Sequence, residues 1–80
     1  MRRYRSRPAE VEAVRWWDPQ DPPEGVTRVH KDDHDYWVGT VQTVGGPATV
    51  YQGDYVVAES VPGKFYPCKA DVFERRWELA

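Results

Sequence analysis

Cysteine, leucine and methionine are nearly absent from this 80-residue sequence, which contains one residue of each type. The single cysteine, Cys68, excludes an internal disulfide framework and fits a reducing compartment. No apolar run approaches the roughly 18 residues of a membrane-spanning helix, and the basic start has no apolar segment behind it, so no secretory signal is expected. A chain this short hides only about 60–65% of its surface on folding, which predicts a single domain, 1–80, without a deep catalytic cleft.

Aromatic residues are abundant by contrast, with four Trp, five Tyr and two Phe. Together with the β-branched residues they favour strands over helices, so we predict a mainly β (α+β) fold. We expect a small curled antiparallel sheet or barrel of roughly five to six short strands with one short C-terminal helix. The predicted strands cover 10–17, 25–30, 36–44, 48–51, 55–58 and 64–67, the helix covers 68–76, and 78–80 returns as a terminal strand.

Proline and glycine separate these segments rather than forming a low-complexity tract. Segment 18–25 contains three prolines and is predicted to be a loop, and the polar segment 31–35 is predicted to be an exposed turn. Gly45-Gly46 is predicted to form a hairpin turn. Pro62-Gly63 fits the two central positions of a type II turn.

Charge is distributed unevenly along the chain, although the net charge is only −2. Residues 1–7 carry four Arg and no acid, and residues 1–8 are predicted to be a flexible basic arm. The following segment, 8–35, is strongly acidic, so the two segments could attract each other. The domain-wide basic excess typical of a nucleic-acid binder is missing, and we therefore do not expect a nucleic-acid partner.

Two segments of the sequence resemble a family of small, mostly uncharacterised proteins encoded by bacteriophages and prophages. The C-terminal third contains Gly-Asp-Tyr-Val-Val at 53–57 and Gly-Lys-Phe-Tyr-Pro-Cys-Lys-Ala-Asp-Val-Phe at 63–73, followed by Trp77-Glu78. The opening segment 4–16 is also similar to the family's start. Ala70 stands where the family usually has Pro, and 18–45 departs from the family's central segment. The resemblance implies a phage-encoded protein and no settled activity.

Three groups of residues carry potential chemistry, and each is interpreted as structural. His30 and His34 flank a polar turn with Asp32, Asp33 and Asp35, where no framework is expected to fix zinc ligands, so we predict no metal site. Cys68 lacks a neighbouring base, and Asp54 is expected to bond to the backbone of its own turn. We therefore predict no catalytic residues, no cofactor and no enzymatic activity.

The remaining aromatic residues suggest binding. Tyr36, Trp37 and Tyr51, together with Tyr55, Phe65 and Tyr66, could form a core, a protein interface or a stacking surface for bases. We select Tyr36, Trp37 and Tyr51 as candidate interface or ligand-binding residues. Arg15, Arg75 and Arg76 are further candidate binding residues. They could join the N-terminal arginines in a basic, anion-binding face if the first strand lies beside the C-terminal helix. Phe65, Phe73 and Trp77 are expected to be buried together, with Val72 on the same side of the helix.

These expectations, with the resemblance, predict a phage-encoded, non-enzymatic accessory protein that binds a host or anti-phage defence component. An oligomeric sponge for a nucleotide signal and a minor virion component are the alternatives. The partner is expected to be a host or defence protein or a second copy of the chain, with a dimer as the default and no membrane involved. The implied location is the host cytoplasm, or the virion for the structural role.

Overall fold

The computed structural model describes residues 1–6 and 9–80, and these residues form eight strands and one helix. In chain order the elements are β1 (Arg2–Ser6), β2 (Ala9–Arg15), β3 (Thr27–Lys31), β4 (Trp37–Thr43), β5 (Gly46–Tyr51), β6 (Tyr55–Ala58), β7 (Phe65–Cys68), α1 (Ala70–Arg76) and β8 (Glu78–Leu79). Across the described residues, no helix has the length and apolar character needed to cross a membrane.

The strands form two antiparallel sheets. The first has five strands in the order β7-β6-β2-β1-β8, and the second has three in the order β3-β4-β5. The mainly β, antiparallel fold with one short C-terminal helix is confirmed. The barrel alternative is wrong, because the two sheets remain separate and pack face to face.

The five-stranded sheet carries apolar side chains on both faces, which places it in the middle of three layers. Val14 in β2 and Trp16 just after it belong to a core shared with the three-stranded sheet, whereas Val11 and Ala13 in β2 belong to a core shared with α1. Successive residues of a strand point to opposite faces, so this pattern puts one layer on each side. The imperfect alternation in segment 10–17 reflects a strand that is covered on both faces.

The first core lies between the two sheets. Its fully buried side chains include Trp16, Val41, Val50 and Val56, each with none of its surface exposed. The buried indole of Trp16 donates a hydrogen bond from Nε1 to the carbonyl oxygen of Asp18 at 2.9 Å. Its polar atom is therefore satisfied, as a buried tryptophan requires.

The second core lies between the five-stranded sheet and α1 and contains Phe73 and Trp77, as predicted. Phe65 is the exception, because it belongs to the first core. It lies one position before Tyr66 in β7, so it points to the opposite face of the sheet. Val72 is 48% exposed, because it precedes Phe73 on the helix and is rotated away from the core.

The predicted flexible arm at 1–8 is incorrect for residues 2–6, which form β1, while Arg7 and Pro8 lie outside the described residues. β1 pairs with β2 in a register that sets Arg3 opposite Glu12 and Arg5 opposite Glu10. Oppositely charged cross-strand neighbours stabilise such a pair. The basic segment is therefore a strand whose charges face the acidic segment that follows it.

The β4–β5 turn and the start of the helix differ from the predicted positions. The hairpin between β4 and β5 turns at 44–45, one residue earlier than predicted, because Gly46 already pairs with Thr43. The helix begins at Ala70 rather than at Cys68, because Cys68 pairs with Tyr55 in the sheet.

The type II turn at Pro62-Gly63 is confirmed. The amide of Lys64 donates to the carbonyl oxygen of Val61 at 3.1 Å, which closes the turn. The φ angle of Gly63 is +80°, the left-handed conformation that the third position of this turn requires.

Candidate binding surface

The turn between β5 and β6 organises one end of the molecule. The amide of Asp54 donates to the carbonyl oxygen of Tyr51, and the amide of Tyr51 donates to Oδ2 of Asp54, both at 2.9 Å. Gly53 occupies the turn with a φ angle of +97°, which side chains disfavour. Asp54 is 6% exposed, and the predicted bond from its carboxylate to the backbone of its own turn is confirmed.

This turn connects the two sheets through its backbone. Gly53 donates to the carbonyl oxygen of Trp16 at 2.6 Å, and Gln52 donates from its amide to the carbonyl oxygen of Trp37 at 3.0 Å. The side chain of Gln52 also donates from Nε2 to the carbonyl oxygen of Trp17 at 2.6 Å. The ends of β2 and β4 are therefore held at fixed positions around one turn.

Four aromatic residues lie near this turn along the backbone, and we call them the aromatic end: Trp17, Tyr36, Trp37 and Tyr51. Trp17 is 60% exposed and Tyr36 is 63% exposed, while Tyr51 is 37% exposed and Trp37 is half-buried. The rings of Trp37 and Tyr51 lie on opposite faces of their sheet, because Val38 is the residue paired with Tyr51. The three candidate aromatic residues are thus brought together by the backbone at one end of the molecule.

Trp17 is the residue that sequence reasoning missed. The adjacent tryptophans at 16 and 17 were the signal for an exposed indole, because adjacent residues in an extended segment point to opposite sides. Trp16 is fully buried in the first core, which places the next indole outside that core. Of the other aromatic candidates, Tyr55 and Phe65 are buried and belong to the two cores.

A cation lies beside each of three rings at the aromatic end. The guanidinium carbon of Arg15 lies 4.0 Å from the ring centroid of Trp17. Lys31 Nζ lies 5.5 Å from the centroid of Trp37, and Lys69 Nζ lies 4.4 Å from that of Tyr51. These distances are within the range of cation–π attraction.

Each of these cations also has a carboxylate partner. Arg15 Nη1 lies 3.5 Å from Glu74 Oε2, Lys31 Nζ lies 3.2 Å from Asp35 Oδ1, and Lys69 Nζ lies 3.3 Å from Asp54 Oδ1. The positive charges of the aromatic end are therefore neutralised within the chain.

The three candidate arginines lie in different environments. Arg15 donates from Nε to the carbonyl oxygen of Gly53 at 2.8 Å, which fixes its side chain beside the turn of the aromatic end. Arg75 pairs with Asp71 on its own helix, with Nη2 and Oδ2 3.5 Å apart. Arg75 and Arg76 line a groove with Arg5 and Trp77, which is separate from the aromatic end.

A groove of about 500 Å³ borders Trp17 on the helix side of the five-stranded sheet, and we call it the Trp17 groove. Its floor includes Ala13 and Tyr55, which are buried. Its walls carry two guanidinium groups, and no carboxylate lines it. The lining residues are Met1, Arg2, Tyr4, Ala13, Val14, Arg15, Trp17 and Tyr55.

The remaining candidates for chemistry are Cys68 and the two histidines. Burial raises the pKa of the Cys68 thiol and the nearby carboxylate of Asp54 raises it further, which favours the unreactive protonated form. His30 is exposed, and its Nδ1 lies 2.7 Å from the carbonyl oxygen of Arg28. Within residues 1–6 and 9–80, no three His, Cys, Asp or Glu side chains are grouped so as to hold a metal ion.

No family model, curated protein or solved structure matches this chain.

Proposed function

We propose that the chain is a non-enzymatic binding protein that presents its aromatic end to a protein partner. The observation that supports this most strongly is the exposure of Trp17, Tyr36 and Tyr51 around one hydrogen-bonded turn. Tyrosine and tryptophan supply large contact area with few rotatable bonds and are enriched in protein interfaces. A fixed backbone reduces the entropy lost on binding, which favours affinity.

The charges around the rings favour a protein partner over a nucleic acid. Lys31, Lys69 and Arg15 each have a carboxylate within 4 Å, so they carry little free positive charge for phosphates. Nucleic-acid binding depends on unneutralised Lys and Arg that displace counterions. Paired charges beside exposed rings suit instead a contact with mixed polar and apolar groups.

The resemblance to bacteriophage proteins suggests the kind of partner. Under this proposal the partner is a host or anti-phage defence protein, and the chain acts in the host cytoplasm. A second copy of the chain is the alternative partner. Pairing through β4 is not available for such a dimer, because β4 is the central strand of its sheet, between β3 and β5.

The proposal is tested by affinity capture from lysate of infected host cells, with the tagged chain as bait and mass spectrometry as the readout. Trp17→Ala and Tyr36→Ala should each reduce recovery of the captured partner. Val44→Ala is the control, because Val44 is 62% exposed at the tip of the β4–β5 hairpin. Equal recovery with all three variants would contradict a partner site at the aromatic end.

Light scattering at micromolar concentration separates a foreign partner from a second copy. If the partner is a second copy, the parent chain is dimeric and both Trp17→Lys and Trp37→Lys shift it to the monomer. If the partner is foreign, the parent is monomeric and captures that protein in lysate. A dimer that both lysine variants leave intact would show that self-association uses another surface.

A further inference from the structure

We infer that the Trp17 groove is a binding site for a nucleoside monophosphate, with the base stacked on Trp17 and the phosphate bound by Arg2. This inference goes beyond the proposed protein partner and does not depend on it. It concerns the helix side of the five-stranded sheet, where the groove passes between the start of β1 and the end of β2.

The size and floor of the groove suit a small planar ligand. Its volume of about 500 Å³ lies within the range of small-molecule sites, which is roughly 300–1,000 Å³. Ala13 and Tyr55 form a closed floor, with 0% and 7% of their surfaces exposed. The exposed indole of Trp17 at one wall offers a stacking surface, and every base has a face that can stack on an aromatic ring.

The charge of the groove favours an anion. Two guanidinium groups, those of Arg2 and Arg15, line it. Arg15 is paired with Glu74, whose carboxylate also accepts a hydrogen bond from the hydroxyl of Tyr55, so the free positive charge is that of Arg2. Four other grooves of the described surface each include at least two Asp or Glu residues among their lining residues. The Trp17 groove thus combines the guanidinium of Arg2 with an exposed indole.

The two arginines have different roles. Arg15 is held by the carbonyl oxygen of Gly53 and by Glu74, and its guanidinium covers one face of Trp17. It fixes the orientation of the indole, which remains 60% exposed. Arg2 forms no ion pair with any described carboxylate, so it is the group available to bind phosphate in a bidentate manner.

Two-dimensional NMR of the purified chain tests this inference directly. The probes are AMP, adenosine and inorganic phosphate, each titrated to about 5 mM, a range that detects millimolar dissociation constants. The four tryptophan indole signals report on different sites, and the Trp17 signal is identified by its loss in Trp17→Ala. AMP should shift the Trp17 signal in a saturable way and bind more tightly than either adenosine or phosphate.

Three variants locate the site. Trp17→Ala should weaken AMP binding about 5-fold to 150-fold, as expected for loss of one stacked base, when it is followed by backbone amide signals of the groove. Arg2→Ala should remove the preference for AMP over adenosine. Arg75→Ala is the matched control, because Arg75 lies outside the groove, and it should bind AMP like the parent.

Either of two results would overturn the inference: no saturable shift with AMP, or AMP binding that is unchanged in both Trp17→Ala and Arg2→Ala. All variants replace groups with substantial exposure, and their melting temperatures, measured alongside, should match that of the parent. The titration uses the purified chain alone, so its failure is distinct from a failure to capture a protein partner in lysate.

Discussion

The ring of Phe73 stacks on the ring of Tyr55, with the two centroids 4.1 Å apart and the planes 16° from parallel. Tyr4 meets Phe73 edge-on at a centroid distance of 4.9 Å, so the stack includes residues from β1, β6 and α1. A helix of seven residues is too short to be stable by itself in water. Its position on the sheet therefore depends on this aromatic contact.

Phe73→Ala should strongly destabilise the protein. Phe73 is 1% exposed, and truncation of a buried Phe typically costs about 3–5 kcal/mol, which is a large part of the total stability of a small domain. The melting temperature measured by circular dichroism should fall by more than about 10 °C, or the variant should fail to fold. The matched control is Val72→Ala on the same helix, because Val72 is 48% exposed. The control should change stability by less than about 0.5 kcal/mol, and a similar small effect for Phe73→Ala would contradict the core assignment.

Strand β1 should contribute to stability through Tyr4 rather than through its arginines. Tyr4 is half-buried in the second core, and its truncation to Ala should cost about 1.5–3 kcal/mol, roughly half the cost for a fully buried ring. Arg5 pairs with Glu78 at 3.4 Å between largely exposed side chains, and Arg5→Ala should cost less than about 1 kcal/mol. Urea unfolding of the two variants distinguishes these effects. The reverse order would mean that β1 is held mainly by its charges.

The hydroxyl of Tyr55 should make stability depend on pH in the alkaline range. Burial, together with the hydrogen bond to Glu74, raises the pKa of Tyr55 from 10.0 to about 12. The unfolded chain loses this proton at a lower pH than the folded chain. The stabilising contribution is therefore fully present below pH 10 and is lost as the pH rises from 10 toward 12. Urea unfolding at a series of pH values should show a smaller loss over this range for Tyr55→Phe than for the parent, whereas Tyr36→Phe, on the exposed surface, should behave like the parent.

The strand content was predictable because the sequence places β-branched and aromatic residues between proline and glycine turns. The segments predicted at 36–44, 48–51, 55–58 and 64–67 all lie within two residues of the observed strands. The position of β1 was not predictable from local pattern alone. Four of its five residues are Arg or Ser, and the strand depends on pairing with β2 and on the contact of Tyr4 with the second core.

The layer assignment of single aromatic residues also required the structure. Phe65 and Phe73 are close in sequence, but β7 and α1 direct them to opposite sides of the middle sheet. Periodicity within a strand gives the alternation of faces, but it does not reveal which face meets which neighbour. Tyr36 and Tyr51 could be selected as candidates from the sequence. The Trp17 groove could not be predicted, because it depends on contacts between β1 and β2.

Removal of metal ions should leave stability unchanged. His34 lies in a turn whose backbone is held by Asp32, since Oδ1 of Asp32 accepts hydrogen bonds from the amides of His34 and Tyr36 at 2.9 Å. The turn is therefore closed by its own hydrogen bonds and needs no ion to hold it. Thermal melts with and without excess chelator should superimpose. Stoichiometric zinc in the purified protein, lost together with stability on chelation, would contradict this prediction.

The carboxylate of Asp54 should connect stability to the geometry of the aromatic end. Asp54→Ala removes the acceptor for the partly buried amide of Tyr51, and the loss of that partner costs about 1–3 kcal/mol at most. Asp54→Asn keeps one carbonyl oxygen for that amide and loses only the ion pair with Lys69, whose side chain is 61% exposed. We therefore expect urea unfolding to show a loss for Asp54→Asn that is less than half of the loss for Asp54→Ala.

The same pair of variants should also differ in the indole spectrum. Gln52 and Gly53 lie within the turn that Asp54 closes, and they bond to the backbone of Trp37, Trp17 and Trp16. Loosening of the turn in Asp54→Ala should shift the indole NMR signals of these residues, whereas Asp54→Asn should retain the parent spectrum because its turn stays closed. Equal stability losses with unchanged indole signals in both variants would show that the ion pair with Lys69, rather than the bond to Tyr51, is the contribution of Asp54.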